Sequence, residues 1–363
     1  MGRYQPSDGG QHDSKKNREQ VALPESVTMM FWLRTIIAAI TAVVALSVSD
    51  AVAQPAETAP LQLEAKIPLG NVRGRIDHMA VDLKRQRLFV AELGNDSVGI
   101  VDLASQKLIR TIPGLKEPQG VGYEPLTDML YVANAGDGSV RLFEGNDYAA
   151  RERIELGSDA DNIRIDTATN RVFISYGSGA LAVIDPSARS KLGDIPVKAH
   201  PEAFQIDPDT SQIFVNVPGA RAIAVVDRVS QKQIGEWPIP DRGANFPMAL
   251  DLVRRQVLVI FRAPAALGVF SMTDGKRIAT AETCGDADDL FIDAKRSRVY
   301  VSCGDGFLDV LEAKETAYRR IARIPTASGA RTSLFVPEMD RLLVAARASS
   351  GEPAAIWIFR PMP

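Results

Sequence analysis

The chain has 363 residues, 45% of them hydrophobic, and a formal charge of −3 at neutral pH. That length can bury a large core, and that charge gives no electrostatic reason to expect a nucleic-acid partner. Beyond the N-terminal tail, β-branched runs bounded by Gly, Pro, Asp and Asn replace any helical periodicity, which excludes an all-α fold.

Residues 1–53 read as a tail that ends in an export signal. The apolar run "TIIAAITAVVALSV" from Thr35 to Val48 follows Arg34. Ala51-Val52-Ala53 then has the small-x-small form of a cleavage site, which makes Gln54 the expected mature start. The run is short for a membrane span. The polar stretch before Met29 is long for a signal, so translation from Met29 or Met30 fits as well as from Met1. The expected destination is the periplasm or the medium. Residues 54–60 form a short linker.

From Leu61 onward one pattern recurs seven times, at a period of roughly 42 residues. Copies include "VDLKRQRLFVAELGNDSVGIVDL" from Val81, "YEPLTDMLYVANAGDGSVRLF" from Tyr123 and "IDPDTSQIFVNVPGARAIAVVD" from Ile206. A turn acid or its substitute falls at Asp82, Glu124, Asp166, Asp207, Asp251, Asp293 and Pro337. Each copy reads as four strands. Repeats of this size built from strands predict an all-β fold, a seven-bladed propeller spanning 61–360. The fourth strands are the most polar, as an outer strand with one wet face should be.

The last copy stops after its third strand at "AIWIFR", whereas "LQLEAKIPLG" from Leu61 is a fourth strand with no blade before it. The economical arrangement joins that N-terminal strand to the last blade and closes the ring, leaving no open edge. The only two cysteines, Cys284 and Cys303, both fall in the sixth copy and bracket a strand hairpin at one end of one blade. Export would allow them to form a disulfide; two buried thiols are the alternative.

These repeats resemble those of the YVTN-type (YncE-like) bacterial propeller proteins, seen in "RLFVAELGNDSVGIVDL" and "MLYVANAGDGSVRLF", over nearly all of 61–359. The resemblance implies an exported seven-bladed binding propeller, with nucleic-acid binding among the activities known in that family. The fifth and seventh copies depart from the pattern, with "VIFRAPA" and "VAARASS" where an Asn-Gly turn is usual.

In such a blade, the loop into the first strand and the loop after the second lie on one face. Five residues before each turn position stand Asp77, Gln119, Asp161, Glu202, Phe246, Asp288 and Thr332. Four before stand His78, Gly120, Asn162, Ala203, Pro247, Asp289 and Ser333. Ten after stand Glu92, Asn134, Tyr176, Val217, Phe261, Cys303 and Arg347. These registers are expected to ring the mouth of the central channel. Two like charges ~4 Å apart cost about 4 kcal/mol at an effective dielectric near 20. The acids of the first ring therefore need solvent, protonation or a counter-charge.

Three readings follow. The acids cap turns and pair with Arg75, Arg262, Arg331 and Arg347. Or Asp77, Asp161, Glu202 and Asp288 hold a divalent cation such as calcium, zinc or manganese. Or the ring clamps a charged ligand. His78 and His200, the only histidines outside the tail, lie in these loops and are candidate bases or metal ligands. No haem-attachment, P-loop or nucleophile-elbow motif is present, so no cofactor is certain.

The function expected is a ligand- or protein-binding module of the bacterial envelope, probed by a small molecule or an envelope protein and acting as a monomer. The alternative is a metal-assisted hydrolase, similar to propeller lactonases in placing Glu, Asn and Asp around a cation. Glu92, Asp161, Asn162, Glu202, Asp288 and Asp289 would then fill those parts. A third reading, a partner subunit in periplasmic redox chemistry, has no covalent haem site to support it.

Overall fold

A computed structural model describes residues 59–315 and 317–363. The tail, the apolar run from Thr35 and the cleavage site at Ala53 lie outside the described residues.

Alternation of apolar and polar residues at period two makes each repeat a meander of four antiparallel strands. Seven such sheets form blades I–VII of a β-propeller. Their innermost strands are Met79–Asp82, Pro118–Glu124, Ala160–Asp166, Phe204–Ile206, Gly243–Asp251, Ala287–Asp293 and Ser333–Val336. The second and third strands are almost wholly buried, as in Met129–Asn134, whereas the outer strand Lys107–Pro113 buries only Ile112.

Ring closure follows the expected route. The N-terminal strand Leu61–Pro68 pairs antiparallel with the C-terminal strand Ala355–Pro361 as the outer strand of blade VII. Leu69 N–H donates to Ala354 O at 2.8 Å and Met362 N–H to Pro60 O at 2.9 Å, which ties off both ends of the pair.

The hydrophobic core lies between blades rather than within them. Phe89 and Ile100 of blade I pack with Leu130 and Val132 of blade II. Ile67, Leu88 and Val90 pack with Leu343 and Ile356 across the closure. Each such side chain contributes about 1.5–3 kcal/mol on full burial, so every blade depends on both neighbours. Blade VI carries an extra tie, because Cys284 and Cys303 form a disulfide.

Candidate functional site

The turn acids lie at the far end of the inner strands, where they act on their own loops. Asp293 accepts from Arg296 N–H at 3.2 Å and from its Nη1 at 2.9 Å, and Asp251 does the same with Arg254. Arginines on this face also cross to the adjacent blade: Arg85 to Asp128, Arg255 to Asp207 and Arg296 to Asp340.

The opposite end, the mouth, is shaped by backbone irregularity. In blades II, III, V and VI the pairing of the inner strand slips, between Pro118 and Val121, Ala160 and Ile163, Asn245 and Met248, and Ala287 and Asp289. Just before each slip a non-glycine residue takes a left-handed conformation: Glu117, Asp159, Ala244 and Asp286. Such bulges re-aim side chains, here toward the axis. Gly120 makes room for this, since a Cβ there would strike the carbonyl oxygen of Asp161.

The result is a polar cavity of about 180 Å³ lined by Arg75, His78, Gln119, Asp159, Asp161, His200, Glu202, Phe246, Arg262, Asp288 and Arg331. Five of these belong to the register five residues before the turn. A second cavity of about 320 Å³ runs down the channel, past Val121, Ile163, Arg164, Gln205 and Phe291. His78 lines both cavities and so stands where the mouth meets the channel.

The two sides of the mouth differ. On the side of blades I, VI and VII the acids are neutralised within the protein. Asp77, wholly buried, lies 2.7 Å from Arg75 Nη2. Asp288 meets Arg331 Nε at 2.9 Å, Arg262 Nη2 at close range and Arg75 at 3.8 Å. Asp286 takes Arg331 Nη1 at 2.9 Å, and the Arg262 guanidinium lies 3.9 Å over the Phe246 ring. His78 sits 3.7 Å from both Asp77 and Asp289. Burial opposes its charge, but Asp289 and then Asp77 outweigh that and push its pKa up to about 10. Asp289 is fixed in turn by Ser333 N–H at 2.8 Å.

On the side of blades III and IV, no arginine lies within ion-pair distance of Asp161 or Glu202 among the described residues. Asp161, Glu202 and His200 each present a ligand-type atom, and these atoms lie within 4.8 Å of one another. Asp161 is 4% exposed; its Oδ2 accepts from Asn162 Nδ2 at 3.1 Å, while its Oδ1 has no hydrogen-bond partner. Burial pushes the carboxyls of Asp161 and Glu202 up to about 7, with Asp288 adding to the rise at Glu202. His200 Nδ1 lies 2.7 Å from Gly177 O and 3.5 Å from Asp159. Around the mouth seven carboxylates (Asp77, Asp159, Asp161, Glu202, Asp286, Asp288, Asp289) face Arg75, Arg262, Arg331 and His78, with the buried Arg164 of blade III acting on Asp161 and Asp289 from the channel side.

Among the sequence candidates, the structure thus brings together Arg75, Asp77, His78, Asp161, Asn162, His200, Glu202, Asp288, Asp289 and Arg331. The four carboxylates expected to share one cation separate into two pairs: Asp161 and Glu202 join His200, whereas Asp77 and Asp288 are held by arginines. The register ten residues after the turn does not reach the cavity. Glu92 is buried and accepts from Ser97 Oγ, and Asn134 bonds within its hairpin to Ser139. Tyr176 donates to Asp194 on blade III, and Arg347 lies across Gly329.

Two residues of the mouth, Asp159 and Asp286, stand outside every register considered from sequence. The signal for them was present: "SDADN" from Ser158 and "GDADD" from Gly285 repeat the same acids two residues apart. At strand period two, the register seven residues before the turn shares a face with the register five before.

No protein-family model matches the chain, and no curated protein matches it by sequence. Among solved structures it is similar to Kuenenia stuttgartiensis hydrazine synthase, with 17% identity and a TM-score of 0.68. That likeness covers 78% of this chain and 94% of the other. At that identity it bears on the propeller fold alone.

Proposed function

We propose that this chain is an exported binding propeller of the YVTN-like kind, which takes a small cationic ligand at its mouth. The observation that carries this reading is Asp161: a buried carboxylate with one oxygen unpartnered, lining the cavity beside Glu202, with no arginine within ion-pair distance of either among the described residues. A buried charge without a partner is costly, and a bound cation would remove that cost. The small polar cavity fits a metal ion or a compact ammonium group better than an apolar ligand. Export is supported by the apolar run and the Ala51-Val52-Ala53 motif.

A thermal-shift panel of metal chlorides and small amines, run on the wild type and Asp161→Asn, tests the binding reading. At least one cationic compound should stabilise the wild type and not the variant; no shift with any of them would overturn the reading. Cell fractionation and N-terminal sequencing test export, with Gln54 the expected first residue.

A metal-dependent hydrolase is the second reading, favoured by the approach of Asp161, His200 and Glu202 to one another. A metal there would activate water, with Arg75, Arg262 and Arg331 on the facing side to receive an anionic group. Turnover of simple lactones or esters by metal-loaded protein, lost in Glu202→Gln, would move the assignment to this reading.

A further inference from the structure

Resting on the binding reading above, we propose that Asp161, His200 and Glu202 form a site for one divalent transition-metal ion of the zinc or manganese kind. The side chains come from two adjacent blades, and each is prepared in a way that a cap or an ion pair would not require. His200 lies with Nδ1 2.7 Å from the carbonyl oxygen of Gly177. A carbonyl only accepts, so Nδ1 carries the proton and donates it. In the neutral ring the other nitrogen, Nε2, then keeps its lone pair. A histidine oriented through its far nitrogen by a carbonyl is the usual support of a metal-ligating imidazole.

Asp161 is prepared in the same sense. Asn162 Nδ2 holds Oδ2 at 3.1 Å, and Oδ1 is left buried without a partner. Its backbone is set by the bulge in the inner strand of blade III, and Asn162 N–H bonds Ser175 Oγ at 3.0 Å. Glu202 is placed by its own backbone, whose N–H donates to Asn216 O at 2.9 Å. The side chain is left for the cavity.

The donor set decides the class of metal. Calcium and magnesium favour oxygen ligands throughout, and an imidazole is a poor choice for either. One nitrogen with two carboxylates suits zinc or manganese, with further coordination positions for water or ligand. Ligand atoms bound at about 2.1 Å from one ion lie roughly 3–4 Å apart. The present separations, within 4.8 Å, therefore close by a shift of about 1 Å on binding. Asp77 and Asp288 stay outside the set because their arginines already neutralise them.

The test uses the untagged full-length chain, stripped with a chelator and titrated calorimetrically with zinc, manganese and calcium chloride. One equivalent of zinc or manganese should bind, with calcium at least ~10-fold weaker. Asp161→Asn, His200→Ala and Glu202→Gln should each weaken binding by about 10-fold or more, and Asp77→Asn should not. Because any variant could lose affinity by unfolding, copper(II) loaded at one equivalent supplies a second readout. Its electron paramagnetic resonance should show coupling to one nitrogen, absent from folded His200→Ala. A preference for calcium, or unchanged affinity and nitrogen coupling in His200→Ala, would overturn the proposal. If small amines stabilise the wild type while no metal binds, the metal site fails and the binding reading stands; if neither binds, both fail.

Discussion

The two ends of the propeller use the same residue type for different purposes. At the turn end, Asp82, Asp166, Asp207, Asp251 and Asp293 each accept a backbone N–H from two or three residues further on. Each also has an arginine nearby. At the mouth, only five residues earlier in the repeat, Asp161 has an oxygen with no partner and Glu202 has no arginine within ion-pair distance among the described residues. An acid in a tight turn is satisfied by its own loop, whatever the neighbouring blade does. An acid at the axis meets acids from other blades, and local chemistry cannot neutralise it. An unmet demand for charge therefore marks a site better than the mere presence of acids.

The largest expected effect breaks both ends at once. Deleting Leu61 to Leu69 removes the outer strand of blade VII and Ile67 and Leu69 from the core. The truncated protein should be insoluble or strongly destabilised; an unchanged melting temperature would count against ring closure as a source of stability.

Next comes Asp293→Ala at the turn end. Asp293 accepts from Arg296 and from Tyr300 OH while 1% exposed. Its loss strands the buried Tyr300 hydroxyl and the turn N–H, while Arg296 keeps Asp340, so the cost should be about 3 kcal/mol in urea unfolding. Replacing Cys284 and Cys303 together by serine should cost roughly 3 kcal/mol in the chain-entropy view, measurable in the same way.

Asp161→Asn sharpens the contrast with Asp293, because it should not destabilise the cation-free protein and should raise its stability by up to about 1 kcal/mol. It removes a desolvated charge that no cation pairs within ion-pair distance and whose Oδ1 has no hydrogen-bond partner. A loss comparable to that of Asp293→Ala would show that the two ends are built alike.

The smallest effect is a pH dependence. His78 faces Asp77, Asp289 and, at longer range, Asp161, and its folded pKa is raised from 6.5 to about 10. Its charge therefore stabilises the fold fully below the unfolded value and progressively less as pH rises toward 10. The melting-temperature advantage of wild type over His78→Gln should be largest at or below pH 6.5 and vanish near pH 10. A gap that widened with rising pH would mean that the imidazole is neutral in the folded protein.

The repeat made the architecture legible because each strand reports its burial locally: alternation at period two and a turn acid at fixed spacing are read from adjacent residues. Blade number, ring closure and the face on which the acids gather all follow from that arithmetic. The division of labour at the mouth does not. Arg262 reaches Asp288 from a different blade, out of the departing segment "VIFRAPA", and no spacing within a repeat relates the two. Glu92 and Asn134 have the right register, but their side chains bond within their own hairpins. Asp159 and Asp286 were readable in the paired D-A-D segments, although the left-handed turn that aims them was not.

Local order in the chain therefore decided that this protein is a ring of seven sheets with acids at one opening. Which of those acids meet arginines, and which stand beside His200 uncompensated, was settled when blades far apart in sequence came within a few ångströms. Electrostatic energy depends on those distances and on burial, and neither quantity is written in the order of residues along a strand.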